Sequence, residues 1–123
     1  MVRKLLVAGL LLLAMGGVAE AKNPGKSADR CVTASGVTIT NNCSEQVFIL
    51  WCGDLKYSNQ RCGDGPKGGF YTHSDNLRPG QSKELAIKPN GGYNYASCYG
   101  GISFGNDGEY RDYPNGNYDC LPR

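Results

Sequence analysis

The sequence predicts an all-β fold: a small antiparallel β-sandwich held by three disulfides. Three observations lead there. Six cysteines lie downstream of an export signal. Short apolar or alternating segments are separated by Gly, Asn, Asp and Pro turns. Beyond residue 21, Ala and Leu are scarce, whereas Gly and Tyr are frequent, at 18 and 8 residues over the whole chain. That balance favours strands and tight turns over helices.

Residues 1–21 read as a secretory signal. Arg3 and Lys4 form the positive start, Leu5 to Met15 the apolar stretch, and Ala19-Glu20-Ala21 the cleavage site. The apolar stretch falls short of the ~20 residues needed to span a bilayer. No cysteine lies near the cleavage site to take a lipid, so no membrane anchor is expected after cleavage. Residues 22–30 form a polar, flexible leader, and residues 31–123 a single bridged β domain. One domain is what this length allows, and disulfides supplement the modest core of a chain this small. Without the signal, 11 basic residues stand against 10 acidic ones, a net charge of +1. The signs alternate with no basic block, so no nucleic-acid partner is expected. No basic amphipathic helix points to a membrane surface.

The elements follow in order. Val37-Thr38-Ile39-Thr40 alternates apolar and polar, as a half-buried strand does. Asn41-Asn42 marks a turn. Gln46 to Cys52 is a continuous apolar run, rich in β-branched and aromatic residues, and reads as a strand buried on both faces. These two strands are expected to form a hairpin around Asn42-Cys43-Ser44-Glu45. Gly53 to Gly69 reads as a long surface loop carrying Cys62. Loops of that length are usually functional or covalently pinned. Gly69 to Thr72 reads as a short strand. In Leu77-Arg78-Pro79-Gly80-Gln81, Pro79 presets φ and Gly80 accepts positive φ, as a type II turn requires. Lys83 to Lys88 alternates, with Leu85 and Ile87 inward. Asn90-Gly91 is a hairpin signal, with Tyr93 to Tyr99 as the return strand. Ile102-Ser103-Phe104 alternates briefly, and a loop follows over Gly105 to Glu109. Tyr110 to Tyr113 and Tyr118 to Cys120 read as edge strands around Pro114-Asn115-Gly116. Strands this short and this regularly spaced suit a sandwich.

Asn41-Asn42-Cys43, Val47-Phe48, Gly68-Gly69 and Leu77-Arg78-Pro79-Gly80-Gln81-Ser82 together resemble the N-terminal part of thaumatin-like proteins. The resemblance covers about half of the chain beyond the signal. It implies a β-sandwich core. Members of that family are about twice this length and carry more cysteines. The carboxylates of their acidic, glucan-binding cleft match no residue here, so the resemblance transfers no activity.

Cys43 and Cys52 flank one strand, ~30 Å apart at ~3.3 Å per residue, so they cannot pair with each other. Cys52 and Cys62 bracket the long loop and can pair locally, which contributes about 2–3 kcal/mol by loop entropy. The resemblance implies Cys43–Cys120, which leaves Cys31–Cys98. A Cys/His metal site is not expected, because no C-x-x-C spacing occurs and an oxidising compartment favours bridges. No cofactor is expected.

Chemistry-bearing patterns are sparse. His73-Ser74-Asp75 contains the residue types of a hydrolytic triad, but a triad converges from separate segments. His73 therefore reads as a surface-loop residue. Asp107, Glu109 and nearby Asp112 offer oxygen ligands of the kind Ca²⁺ takes, at a spacing that misses the EF-hand pattern. Asp54 and Asp64 lie in the pinned loop. As a glycosidase pair they would need a set separation across a cleft. Asn42-Cys43-Ser44 fits a glycosylation pattern, but a bridged Cys43 would block access. In the Tyr93 to Tyr99 strand, alternation places Tyr93, Tyr95 and Tyr99 on the face opposite Ala96 and Cys98. Either they form an exposed ligand-binding stripe, or they pack in the core with their hydroxyls at the rim.

These readings converge on a secreted or periplasmic, non-catalytic binding protein. Its partner would be a polysaccharide or an extracellular protein. The alternatives are an inhibitor of a secreted hydrolase presenting the Gly53–Gly69 loop, and a small carboxylate-dependent hydrolase or toxin.

Overall fold

The computed structural model describes residues 25–102 and 110–121. The signal reading, residues 22–24 of the leader, Ser103-Phe104 and the loop over Gly105 to Glu109 lie outside the described residues. The rest of the leader packs on the domain: Ala28 is buried, and its N–H donates to the Ser97 carbonyl at 3.0 Å. Within them the chain is all-β, and the six cysteines form three disulfides. The strands are β1 (Val32–Ser35), β2 (Thr38–Asn41), β3 (Val47–Gly53), β4 (His73–Leu77), β5 (Ser82–Glu84), β6 (Tyr93–Tyr99), β7 (Tyr110–Asp112) and β8 (Tyr118–Cys120). Three antiparallel sheets result, in the orders β1-β2-β5, β4-β3-β6 and β7-β8.

β3 organises the molecule. Val47 to Cys52 are all buried, as the continuous apolar run predicts. Val47, Ile49 and Trp51 point to one side, where they meet Val32 and Ile39 of the first sheet, and Leu85 just past β5, in a shared apolar cluster. Phe48, Leu50 and Cys52 point to the other side. There they meet Tyr71, Ala96 and Cys98, packed against Tyr110, Tyr118 and Cys120 of the β7–β8 hairpin. The β4-β3-β6 sheet is thus covered on both faces, and a strand without alternation is what such a position demands.

Several sequence expectations need correction. β1 was not anticipated. Its residues, Val32-Thr33-Ala34-Ser35, alternate over only four positions, and only Val32 is buried. It joins β2 through Gly36-Val37, where Gly36 takes φ 60° while Val37 stays at negative φ, the pattern of a type II′ hairpin. The hairpin expected between Val37–Thr40 and Gln46–Cys52 does not form. β2 pairs with β1 and β5, while β3 pairs with β4 and β6. A strand apolar on both faces needs the centre of its sheet, and a single half-buried partner cannot provide that. The strand expected over Gly69 to Thr72 lies further on, at His73–Leu77.

The Asn90-Gly91 turn exists but is not a hairpin. The Gly91 N–H donates to the Lys88 carbonyl at 2.8 Å, and Asn90 adopts φ 61°. Pro89 and Asn90 thus make a type II turn that carries the chain from the first sheet to the second. The Pro79-Gly80 turn is as read: Gln81 N–H donates to Arg78 at 2.9 Å and Gly80 has φ 78°. Leu85 and Ile87 point inward, at 2% and 4% exposure, although β5 ends at Glu84. The β7–β8 hairpin turns at Tyr113–Gly116 as expected, closed by the Gly116 N–H on the Tyr113 carbonyl.

The bridges are Cys31–Cys43, Cys52–Cys62 and Cys98–Cys120. Cys52–Cys62 agrees with the sequence reading. Cys43–Cys120 and Cys31–Cys98 do not occur. Antiparallel pairing of Val32 with Asn41 brings Cys31 and Cys43 to the same end of one hairpin. Cys98 faces the other side of the second sheet, where β8 delivers Cys120.

Candidate functional site

Strand alternation separates the members of His73-Ser74-Asp75. His73 pairs with Trp51 and Asp75 with Ile49, whereas Ser74 pairs with Leu50. Ser74 therefore faces away from the other two, and the three form no triad. Asp54 and Asp64 are not brought together either. An Asp54 carboxylate oxygen accepts the Gly92 N–H at 2.8 Å, and an Asp64 oxygen accepts the Arg61 N–H at 2.8 Å. Asp54 thus ties the loop to a segment 38 residues on, and Asp64 shapes its own turn. Asp112 accepts the Tyr71 N–H at 2.9 Å. Among the described residues no group of three His, Cys, Asp or Glu side chains is placed to hold a metal.

The tyrosines of β6 share the face of Val47, Ile49 and Trp51, because Tyr99, Ser97, Tyr95 and Tyr93 pair in register with Val47, Ile49, Trp51 and Gly53. That is the face turned to the first sheet. Tyr99 is half-buried against the shared cluster, its hydroxyl 3.2 Å from Cys31 Sγ. Tyr93 also packs on the cluster, and its hydroxyl donates to the Gly36 carbonyl at 2.6 Å. Burial, with Tyr95 alongside, holds its phenol above the usual range. Tyr95 alone of the three is open, at 37% exposure. The premise that the Cys98 face is buried and the tyrosine face is free fails, because both faces of this sheet are covered.

The register brings together residues that no sequence motif links. His73, Trp51 and Tyr95 stand in a row across β4, β3 and β6. The His73 and Trp51 rings stack, with centroids 5.6 Å apart and planes 28° from parallel. Lys83 Nζ sits 5.6 Å from the Trp51 ring centroid and 3.0 Å from an Asp75 carboxylate oxygen. Beside this row opens a cleft of about 200 Å³, floored by Trp51 and Leu55 and walled by Tyr57, His73, Lys83 and Glu84.

The loop after β3 holds the cleft open. Leu55 is buried and bridges to Ile87, and Lys56 N–H donates to the Ala86 carbonyl at 2.9 Å. Cys52–Cys62 clamps the far side. Between these anchors Tyr57 stands out at 86% exposure. Thr72 fixes the histidine. Its hydroxyl lies 3.3 Å from the Trp51 carbonyl and 2.8 Å from His73 Nδ1. Nε2 is the ring nitrogen that Thr72 does not engage. Burial holds the imidazole below its usual value.

Larger clefts also lie among the described residues. One, of about 410 Å³, lies between Asp54, Arg61 and Asn94; another, of about 370 Å³, lies between Lys67 and Arg111. Each is lined by two glycines and a single aromatic ring, so neither converges several rings with charged groups. Compared with known proteins, the chain matches no family model, no curated protein and no solved structure. Sequence reading singled out the loop but not Tyr57, set His73 aside as a loop residue, and passed over Trp51 and Lys83. Their one visible signal is the lone tryptophan at the junction of the apolar run with the long loop.

Proposed function

We propose that the protein is an exported, non-catalytic binding protein that docks its ligand at the Trp51 cleft. The observation that carries this reading is Tyr57. An aromatic ring 86% exposed, on a loop braced by a disulfide and a strand bridge, gains nothing for folding. Held rigid beside other rings, it is already in position to contact a partner, which keeps the ordering cost of binding low. Export fits the three bridges, since small disulfide-dense domains belong to oxidising compartments. The same braced loop also favours inhibition of a secreted hydrolase, with Tyr57 entering the enzyme's pocket.

Immobilised protein, residues 22–123, is challenged with wall polysaccharide and with secreted proteins. Retention by the wild type that Tyr57→Ala abolishes, with an unchanged melting temperature, supports the site. Equal retention by both proteins rules it out. Blocking of one purified hydrolase at stoichiometric concentration selects the inhibitor reading.

A further inference from the structure

Resting on that binding reading, we infer that the Trp51 cleft is a saccharide subsite that seats one uncharged sugar ring of a longer glycan. Size comes first. At about 200 Å³ the cleft falls below the roughly 300–1,000 Å³ typical of sites that enclose a whole small molecule. It takes one unit of an extended ligand and leaves the rest outside.

The chemistry of the walls then selects the unit. Tyr57 offers an open ring face, and Trp51 and Leu55 make an apolar floor. A pyranose presents a C–H face to such surfaces and hydroxyls around its edge. The polar groups at the rim are of both kinds. His73 contributes Nε2, the ring nitrogen that Thr72 does not engage, which donates or accepts according to the tautomer. The Glu84 carboxylate is an acceptor, and Lys83 Nζ is a donor. A hydroxyl both donates and accepts, so one ring of hydroxyls satisfies all three groups. An aliphatic or aromatic peptide side chain would leave them bare, at a desolvation cost.

Charge completes the selection. Lys83 is already paired with Asp75 at 3.0 Å, and Glu84 adds a negative charge. Among the described residues that line the cleft, no unbalanced cation remains to favour an anionic sugar.

Trp51 is the single tryptophan of the chain, so its fluorescence reports this cleft without a label. The probes are hexamers of β-linked glucose and of N-acetylglucosamine. The expected result is a saturable change in Trp51 emission with at least one of them, the same at 50 and 500 mM NaCl. Tyr57→Ala and Glu84→Gln should each weaken binding about tenfold or more, the equivalent of about 1.4 kcal/mol, whereas Tyr57→Phe should keep it. An emission change abolished by salt, or none with either hexamer, overturns the assignment. Material retained through Tyr57 in the capture experiment separates the two readings. Loss of that material on digestion with a β-glucanase or a chitinase, which cleave glycosidic bonds, supports a saccharide. Loss on protease digestion instead overturns the saccharide and leaves the binding reading standing. No Tyr57-dependent retention of any material removes both.

Discussion

Asn41 has no solvent exposure, yet its side chain is fully engaged. Its amide nitrogen lies 2.8, 3.1 and 3.2 Å from the carbonyl oxygens of Glu45, Leu77 and Arg78, and its Oδ1 accepts the Cys43 N–H at 3.0 Å. One side chain thus ties the end of β2 to the Pro79-Gly80 turn. Asn41→Ala bares buried carbonyls and should cost about 2–3 kcal/mol in urea unfolding. Asn41→Asp should be worse at neutral pH, since it turns an acceptor-only carboxylate toward those three oxygens, and should recover stability as the pH falls and the carboxyl protonates. An aspartate variant as stable as wild type at pH 7 would contradict this geometry. Sequence could place Asn41 in a turn but could not show that it is a buried linchpin, because two of its partners lie 36 and 37 residues away. Tyr71 makes a second test. Its hydroxyl donates to the Gly116 carbonyl at 2.7 Å, and burial, with Tyr118 and then Asp112 and Asp29 nearby, pushes its phenol up to about 12. The fold therefore holds Tyr71 protonated. That stability is complete below the ordinary value near 10 and is lost as the pH climbs from there through about 12. Tyr71→Phe should lose about 1 kcal/mol near neutrality, and its alkaline unfolding should be less steep above pH 10 than the wild type's.

Between elements, the β7–β8 hairpin serves as a lid on the outer face of β3. Phe48 and Tyr110 approach with centroids 6.3 Å apart, and Tyr71 meets Tyr118 edge-on at 6.3 Å. The Tyr118 hydroxyl, 2.7 Å from Asp29 and 3.0 Å from Ser27, ties the lid to the start of the domain. Replacing Cys98 and Cys120 together by Ala should cost about 2–4 kcal/mol. It should also raise binding of a hydrophobic dye as Phe48 and Leu50 open, while Trp51 emission holds, because Trp51 lies in the opposite cluster. A Trp51 shift equal to the dye response would mean that the two layers open as one. What was legible at this scale was local: the two-faced run of β3, the Pro79-Gly80 turn and the Pro114-Asn115-Gly116 hairpin. Partnership was not legible. Nothing in Asn90-Gly91 distinguishes a turn within a sheet from one between sheets, and the four-residue alternation of β1 is too short to stand out. The cleft arises from that same hidden register, since His73, Trp51 and Tyr95 become neighbours only through strand pairing.

At the level of the whole molecule, the bridges span 12, 10 and 22 residues. None crosses another along the chain. Full reduction should unfold the domain, because three bridges at about 2–4 kcal/mol each compare with a total stability of only 5–15. Refolding of the reduced chain in a glutathione buffer, followed by peptide mapping, should return the three native pairs. Cys43–Cys120 as a major product would contradict the fold. The arrangement also bears on biogenesis. First pairs with second, third with fourth, fifth with sixth. A chain threaded N-terminus first past an oxidant needs only to join each new thiol to the one just before it. Of fifteen possible connectivities, that rule yields the native one, so the order of emergence carries the information that a shuffling catalyst supplies to proteins whose bridges interlace.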